Sequence, residues 1–414
     1  MVKCLLVSTP SPNPEATEPP LSRAVWKTGR ALSGAWALAA VLAVLGWQAA
    51  TVRLNYAGNW TALFCAGTAL GVPPALASEH VYLFPGSGWD GQYYHGIAHD
   101  PLIRADLWKS IDAPRLRYSR ILVPALAHLL ASGDTARIDG AYRLVILGFL
   151  FLGVYWLSRI AVNAGRHPAW GLAFCLVPAA ICSVDRMVPD IALAALCLGF
   201  ALYAGRESHG AISYLVLVLA ALTRDTGLLL VVALCGWWLY RGRSARAAVF
   251  ATAALPALAW YAYVRAHTQP FAYHSLVSIP FSGLLNRFVH PLAYALPRNE
   301  AAWAEALDYV ALLGLVLVLA LVVRALRNSG ATPATLAMAL FSLLTVAGWH
   351  PGDWLDAYDY ARIFSPLLLL VGLRTLEAGG RLWALPLLLT LPRMALIPGL
   401  HTAQALRALL NGAS

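Results

Sequence analysis

The sequence predicts an all-α, polytopic membrane protein. Its 414 residues are 59% hydrophobic and only 12% charged, with a mean hydropathy of +0.64. A soluble domain carries about 25% charged residues, so roughly half of that charge is missing. Several apolar runs also reach about 18 residues or more, the length at which a helix crosses a bilayer. A soluble fold of this length has no interior large enough for so much apolar surface.

The apolar runs predict about eleven membrane-spanning helices. We place them at residues 31–51, 139–161, 168–184, 188–204, 210–223, 226–240, 247–266, 304–326, 332–349, 361–376 and 382–399. The run 120–132 is too short to span comfortably and is expected to be re-entrant or interfacial. The spans form one transmembrane domain over residues 31–400, between a disordered cytoplasmic tail at 1–30 and a short C-terminal tail at 401–414. The first outer loop, 52–138, is expected to contain short interfacial helices.

The distribution of basic residues predicts the orientation in the membrane. Lys3, Arg23, Lys27 and Arg30 precede the first span. Alternate connections are short and nearly free of acid, with Arg159, Arg166, Arg206, Arg241, Arg243, Arg246, Arg324, Arg327, Arg374 and Arg381. Because Lys and Arg are enriched on the cytoplasmic side, we expect a multi-pass protein of a bacterial inner membrane with a cytoplasmic N terminus. The net charge of +10 is spread over these loops, which argues against nucleic acid as a partner.

The other set of connections, on the outer face, carries charges of both signs. Its acidic residues include Asp90, Asp100, Asp106, Asp112, Asp185, Asp190, Asp225, Asp353, Asp356 and Asp359. It also keeps Arg115, Arg117, Arg120, Arg186, Arg224 and Arg362 against the topological bias. Such charges at helix ends indicate a water-filled site at the membrane boundary facing the periplasm. For any single residue, ordinary solvation at the interface is the alternative.

The most informative segment is GWDGQYYHGIAHDP in the first outer loop, at residues 88–101. Gly88 and Gly91 flank Asp90 and allow a tight turn or a close approach to a ligand. The aromatic residues of the segment are Trp89, Tyr93 and Tyr94. Their flat, partly polar rings suit sugar faces or the lipid headgroup level. A carboxylate among them would be partly desolvated, which raises its basicity and suits it to proton abstraction. The alternative is an aromatic belt with an incidental acid.

This segment resembles the first-loop motif of the GT-C superfamily of membrane glycosyltransferases in the string WDGQYY at 89–94. It is most similar to bacterial relatives of the GPI-mannosyltransferase type. Three further strings resemble blocks of those proteins in the same order. They are RYSRILVPALAHLL (117–130), ALTRDTGLLL (221–230) and YDYARIFSPLLLL (358–370). The resemblance runs from about residue 31 to 376 and so covers most of the chain.

The resemblance implies an inverting glycosyltransferase that moves a sugar, a mannose-like one being a candidate, from a polyprenyl-phosphate donor to an acceptor on the periplasmic face. In GT-C enzymes a first-loop aspartate deprotonates the acceptor hydroxyl, and that role falls on Asp90. The substrate-binding candidates in the same string are Trp89, Gln92, Tyr93 and Tyr94. Asp100 is the nearest candidate for the second acid of some members. The acceptor, whether glycan, lipid or protein, is left open.

A lipid-phosphate leaving group needs cations close to the membrane surface. Candidates for contacting that phosphate are Arg117, Arg120, Arg186, Arg224 and Arg362. Arg117 and Arg120 lie three residues apart and would share a helix face. The other three lie at the outer ends of separate spans, where they could converge. The alternative for each arginine is pairing with a neighbouring acid, namely Asp185, Asp225 or Asp359.

No metal ligand set follows from the sequence, so a divalent cation is an open question. One oxygen-rich group comprises His350, Asp353, Asp356 and Asp359. It has ligands that suit a divalent cation, but its spacing matches no metal motif and a solvated loop is the better interpretation. His95 and His99, four apart, would face one way on a helix. A zinc site there needs a third ligand that the sequence does not specify.

Two other classes of function compete with the enzyme. A transporter or flippase for a lipid-linked or amphiphilic substrate would also bind lipid phosphate. However, a transport pathway needs polar groups through the middle of the bilayer, and no inverted repeat is visible. The other class is a non-catalytic membrane protein of cell-envelope assembly, in which the change Asp90→Asn would be silent.

Overall fold

The computed structural model describes residues 23–412, except for 74–75, 78, 270–278, 295, 348–353 and 355. The described part is mostly helical with almost no strand, which confirms the predicted helical class. Helices in the first part of the chain are α1 (Arg23–Asn55), α2 (Gly91–His99), α3 (Pro114–Ser119), α4 (Leu122–Leu130), α5 (Thr135–Asn163), α6 (Pro178–Arg186), α7 (Asp190–Tyr203), α8 (Gly210–Thr223) and α9 (Leu228–Tyr240).

The helices of the second part are α10 (Ser244–Ala251), α11 (Leu255–His267), α12 (Ser282–Val289), α13 (Arg298–Ser329), α14 (Pro333–Ala347), α15 (Ala357–Ile363), α16 (Ser365–Ala378), α17 (Leu385–Met394) and α18 (Leu396–Gly412). Turns of 3-10 helix lie at Trp60–Phe64, Asp106–Ser110, Pro168–Leu176, Glu207–His209, Asp225–Gly227, Thr252–Ala254 and Arg381–Ala384. Two short strands, β1 (Ala66–Gly67) and β2 (Leu83–Phe84), pair in parallel.

Four stretches of the described chain are helices long and apolar enough to cross a membrane: Gly29–Asn55, Thr135–Asn163, Ser244–His267 and Arg298–Asn328. Two bent pairs raise the number to six if each pair is one span: Pro168–Leu176 with Pro178–Arg186, and Arg381–Met394 with Leu396–Asn411. These helices are consistent with a membrane protein. The predicted total of about eleven is not confirmed. Four further apolar stretches, Asp190–Tyr203, Glu207–Thr223, Asp225–Tyr240 and Pro333–Ala347, have only 10–17 residues, and about 20 are needed to span.

Helical structure extends into both predicted tails. Helix α1 begins at Arg23, inside the predicted 1–30 tail, of which residues 1–22 lie outside the described residues. Helix α18 continues to Gly412, so most of the predicted 401–414 tail is helical as well. The reason is packing against α1: Trp47 Nε1 donates to Thr402 Oγ1 at 3.0 Å, and Asn55 Nδ2 donates to the carbonyl oxygen of His401 at 2.9 Å.

The first outer loop contains the predicted short helices. Helices α2, α3 and α4 lie within it, together with the β1–β2 pair. Helix α4 has nine residues and occupies the run that was predicted to be too short to span. Whether these helices lie at a membrane interface stays a prediction.

Helix α7 lies in the centre of the molecule and packs against α5, α6, α8 and α16. Nearly all of its side chains are buried, as expected for a helix that is apolar on all sides. Its first residue is the charged Asp190, which is buried as well. The central helix therefore starts at a polar site, and charged residues from the connections that were predicted to be outer gather around that end.

Candidate functional site

Asp90 immediately precedes α2 and follows a tight turn in the first loop. Gly88 in that turn has φ +70°, a conformation that favours glycine. A Cβ atom at Gly91 would lie 2.2 Å from the carbonyl oxygen of Arg186, and one at Gly88 would lie 2.5 Å from the Gly67 nitrogen. Both positions therefore require glycine, so that the loop can dock on β1 and on the end of α6. The predicted close approach is real, and the partner is protein backbone.

Two buried arginines from distant parts of the chain hold the Asp90 carboxylate. Arg117 of α3 places Nη1 2.8 Å from Asp90 Oδ2, and Arg362 of α15 places Nη2 2.9 Å from the same oxygen. The Asp90 side chain is 21% exposed, whereas those of Arg117 and Arg362 are 11% and 6% exposed. Asp90 therefore keeps more exposed surface than the two arginines that hold its carboxylate.

These arginines decide the protonation of Asp90. Burial by itself would raise the pKa of its carboxyl group, but the charges of Arg117 and Arg362 and the hydrogen bond from Arg117 hold the pKa well below its ordinary value. The prediction that desolvation makes Asp90 more basic is thus wrong for this arrangement. The neighbouring aromatic rings are adjacent in sequence, whereas the two cations come from α3 and α15. While both arginines contact it, Asp90 is ionised and weakly basic.

A second carboxylate, Asp190, lies beside the first. Arg224 Nη1 is 2.6 Å from Asp190 Oδ1, and Arg362 Nε is 3.8 Å from Asp190 Oδ2. Arg362 also lies 3.4 Å from Asp359, so this one guanidinium links three carboxylates. Asp190 was not among the predicted site residues. The available signal was an acid directly after Pro189 at the start of a fully apolar run, on the face that collects the other charges.

Arg120 differs from the other predicted phosphate-binding arginines. It follows α3 and is buried, and its Nη1 donates to the hydroxyl of Tyr94 at 2.9 Å. Its Nε has no hydrogen-bond partner among the described residues. Each of the other four has a carboxylate within 4.0 Å, whereas none of the described carboxylates lies that close to Arg120. Asp225 and Asp190 attract this guanidinium from beyond 4.0 Å. Among the five arginines, Arg120 is thus the one whose close anionic contact is not supplied by a described carboxylate, and this position suits an incoming anion.

Arg186, at the end of α6, borders the site on the side of Trp89. Its Cζ lies 3.8 Å from the centre of the Trp89 ring and 5.7 Å from that of Tyr358. Its Nε is 3.3 Å from Asp185 Oδ2. The two aromatic rings meet edge to face at 5.7 Å. Cation–π contact with a flat ring fixes the position of Trp89 next to Asp90.

The four predicted substrate-binding residues divide into two pairs. Trp89 and Tyr93 are half-buried and keep accessible surface, and Arg117 lies 4.9 Å from the Tyr93 ring. Gln92 uses both ends of its amide inside the loop, accepting from the Gly67 nitrogen at 3.0 Å and donating to the carbonyl oxygen of Ser87 at 2.8 Å. Tyr94 is completely buried. Gln92 and Tyr94 therefore position the loop and Arg120, and their contact with substrate stays a prediction.

Asp100 does not belong to this site. It follows the other end of α2, about 14 Å along the helix from Asp90. Its two carboxylate oxygens accept from the backbone nitrogens of Arg104 and Ala105, each at 2.8 Å. The prediction of Asp100 as a second acid is corrected accordingly, because its carboxylate stabilises a turn. The acids that share an arginine with Asp90 are Asp112, Asp190 and Asp359.

The candidate metal ligands also divide. Of the oxygen-rich group, His350 and Asp353 lie outside the described residues, and Asp356 accepts from the backbone nitrogen of Asp359 as the N-cap of α15. The predicted common face of His95 and His99 is confirmed, since their Nε2 atoms are 3.2 Å apart. The same face meets two carboxylates from elsewhere in the chain, a group that could hold a metal ion.

Comparison with family models, with curated proteins and with solved structures finds no match to this chain. The resemblance to GT-C enzymes stays an expectation from the short motifs quoted above. The geometry around Asp90 has to support any functional assignment.

Proposed function

We propose that the chain is an inverting membrane glycosyltransferase that uses a polyprenyl-phosphate sugar donor, on the outer face of a bacterial inner membrane. The observation that carries the proposal is the carboxylate of the partly exposed Asp90, held by buried arginines that come from separate helices. Such a site offers a proton acceptor and a phosphate-binding surface within one short region. A single-displacement glycosyl transfer needs these two elements.

On the donor side, the proposed phosphate ligands are Arg117, Arg120 and Arg362. Arg120 has no carboxylate partner within 4.0 Å among the described residues, and the other two meet at Asp90 Oδ2. Guanidinium groups form short, charge-assisted hydrogen bonds to phosphate oxygens. These bonds strengthen as the bond from the anomeric carbon to the phosphate oxygen breaks, because the leaving phosphate takes the electron pair and gains negative charge.

On the acceptor side, Asp90 takes the proton of the attacking hydroxyl while the new bond forms at the anomeric carbon. In the structure its arginine partners keep the Asp90 pKa low, which makes it a poor base. A bound donor phosphate competes for Arg117 and Arg362, and each contact that these arginines transfer to phosphate makes Asp90 more basic. In this proposal, donor binding and base activation are therefore coupled.

The accessible aromatic residues fit the same proposal. Trp89 and Tyr93 flank Asp90 in the chain and keep part of their ring surface exposed. Aromatic rings offer the flat apolar surface on which sugar rings stack, and the Tyr93 hydroxyl adds a polar contact. A sugar placed between the two rings would lie next to both the base and the arginines.

Sugar transfer in isolated membranes tests the proposal. Membranes that contain wild type, Asp90→Asn or Asp106→Asn at matched expression receive radiolabelled polyprenyl-phosphate sugars. Asp106 is a control from the same loop, since its side chain is 78% exposed and its partner is the surface Lys109. We expect transfer by wild type and Asp106→Asn and its loss in Asp90→Asn, by about a hundredfold or more as for a missing general base.

The other results would count against the proposal in different ways. Equal transfer by Asp90→Asn would remove Asp90 as the base. No transfer by wild type across several donor sugars would contradict the reaction class itself.

A transporter or flippase is the second candidate, and one observation favours it. Asp308 lies inside α13, one of the helices long enough to span a membrane, and is buried. It pairs with Arg287 at 2.8 Å and with Arg393 at 2.9 Å and accepts from the Tyr294 hydroxyl. Charged residues within a span are expected along transport pathways. Movement of a labelled lipid across vesicles that contain the protein, without any sugar transfer, would support this alternative.

A further inference from the structure

A second polar cluster lies on a different face of α2 from Asp90. It consists of Glu79, His95, His99 and Asp139, and one potential ligand atom from each lies within 4.8 Å of the others. His95 Nε2 is 2.7 Å from Asp139 Oδ1, 3.2 Å from His99 Nε2 and 3.5 Å from Glu79 Oε2. His99 Nε2 is 3.4 Å from Glu79 Oε1.

Three separate segments build this cluster. His95 and His99 lie one turn apart on α2, Glu79 comes from the loop before β2, and Asp139 lies near the start of α5. The His95 ring stacks on Phe64 with its centre 4.2 Å away, which fixes the ring plane. Both histidine side chains are 3% exposed, whereas those of Glu79 and Asp139 are 17% and 27% exposed. The imidazole nitrogen atoms thus lie in the interior, and an ion can reach them from the side of the two partly exposed carboxylates.

Hydrogen bonds among the four residues leave the cluster incompletely satisfied. His95 Nε2 faces three polar atoms, yet a neutral ring nitrogen can donate only one proton. Two ring nitrogens 3.2 Å apart can share one proton at most. Glu79 Oε2 is buried without a hydrogen-bond partner among the described residues. A cation among the four atoms would be contacted by all of them at once.

The spacing of the atoms is close to that of the ligand shell of a tetrahedral metal ion. Zinc bonds of about 2.0–2.1 Å place neighbouring nitrogen and oxygen ligands about 3.3–3.4 Å apart in a tetrahedron. Four contacts between these residues measure 2.7 to 3.5 Å, and one potential ligand atom from each residue lies within 4.8 Å of the others. Two imidazoles favour zinc and similar transition metals over calcium or magnesium, which prefer oxygen ligands alone.

We propose that Glu79, His95, His99 and Asp139 form a zinc site that fastens the first outer loop to α5. Two neutral imidazoles and two carboxylates supply four ligands and two negative charges, which a divalent ion neutralises. Four protein ligands close the coordination shell, as in structural rather than catalytic zinc sites. The site is separate from the Asp90 cluster, and the proposal does not depend on glycosyl transfer. By fixing α2, the ion stabilises the segment that starts at Asp90.

Metal analysis of the full chain tests this site. Protein purified in detergent is stripped with a chelator, given Zn²⁺, freed of excess and measured by plasma mass spectrometry. We expect about one zinc ion per chain in wild type, and an affinity lowered tenfold or more in Glu79→Gln and in His99→Gln. His80→Gln is the matched control, because His80 is an exposed neighbour of Glu79 in the same loop, and it should bind zinc like wild type.

Two measurements on the unmodified chain avoid any dependence on the folding of variants. Stripped wild type should unfold at a lower temperature than the zinc-loaded protein, because an ion bound to the folded state stabilises it. Replacing zinc by Co²⁺ should give the visible absorption of tetrahedral cobalt. Failure of stripped wild type to take up zinc, or equal zinc affinity in wild type and both ligand variants, would overturn the proposal. Zinc uptake without any sugar transfer would leave the site intact and count only against the glycosyltransferase.

Discussion

Arg117 and Arg120 come from one short segment but have different partners, and the difference separates stability from binding. Arg117 lies against Asp90 and Asp112, at 2.8 Å from each, so its guanidinium is compensated. Arg120 has only the hydroxyl of Tyr94 as a described polar partner. Asp225 and Asp190 attract Arg120 only from beyond 4.0 Å, so its buried charge is compensated less closely than that of Arg117.

Replacing each arginine by glutamine should therefore have different consequences. Arg120→Gln keeps a donor for Tyr94 and removes a buried charge, so the unfolding temperature should stay equal or rise while the KM for the polyprenyl-phosphate donor rises about tenfold or more. Arg117→Gln, the matched comparison, loses two ion pairs and should cost about 2 kcal/mol or more of unfolding free energy. Thermal unfolding in detergent and donor titration measure both effects. A large loss of stability in Arg120→Gln with an unchanged KM would contradict the assignment of Arg120 to phosphate.

At the same scale, the sequence could predict which residue types gather but not how they pair. Asp90, Arg117 and Arg362 were identified from a motif and from helix ends, and the structure brings them into contact. Asp100 could not be separated from Asp90 by sequence, because both are acids in one loop. Only the capping of the backbone at Arg104 shows its different place. The protonation of Asp90 depends on contacts across hundreds of residues, which local sequence cannot show.

At the scale of elements, the contact of α2 with α6 depends on Gly91. A Cβ atom at Gly91 would meet the carbonyl oxygens of Arg186 and Phe64 at 2.2 and 2.7 Å, and backbone atoms of packed elements cannot easily move away. Gly96, in the same helix, offers the matched control, because a Cβ atom there has no neighbour within 4 Å.

Gly91→Ala should displace α2 and with it Asp90, since the added methyl group cannot fit against α6. We expect a loss of about 2 kcal/mol or more in unfolding free energy, as for overpacked interiors, and loss of sugar transfer. Gly96→Ala should be neutral or more stable by about 0.5–1 kcal/mol, because alanine favours the helix. Thermal unfolding of the two variants decides the matter. Equal stability of Gly91→Ala and Gly96→Ala would show that the contact with Arg186 does not fix the loop.

Element lengths show where sequence patterns were sufficient. Long apolar runs predicted α1, α5 and α13 directly, because each offers enough consecutive residues for a span. The first outer loop was less predictable. Its strands β1 and β2 have two residues each, too few for an alternating pattern. The partners of His95 and His99 could not be predicted either, because Glu79 comes from a loop and Asp139 from another helix.

At the scale of the whole molecule, the charged site is assembled from the ends of distant helices. Asp90 precedes α2, Asp190 begins α7 and Arg362 lies on α15, and ion pairs of Arg362 connect all three. A prediction that places alternate connections on one face of a membrane brings these ends together without knowing any contact. The convergence of these charges agrees with their predicted place on one face, whereas the orientation of that face and the number of spans stay predictions.

The orientation itself can be tested with two matched serine-to-cysteine changes in a chain whose native cysteines have been replaced. Ser87 lies in the first outer loop beside the Asp90 segment, and Ser244 lies in the basic connection at the start of α10; both are exposed. The excess of arginine around Ser244 predicts a cytoplasmic position. A membrane-impermeant maleimide added to intact spheroplasts should therefore label Ser87→Cys and spare Ser244→Cys, whereas both should react after lysis.

Labelling of Ser244→Cys alone in intact spheroplasts would invert the topology and place the Asp90 site on the cytoplasmic face. A donor at that site would then have its sugar on the cytoplasmic side of the membrane. Labelling of both would show that the segment between them crosses the membrane an even number of times, and the assignment of the short apolar helices would have to change with it.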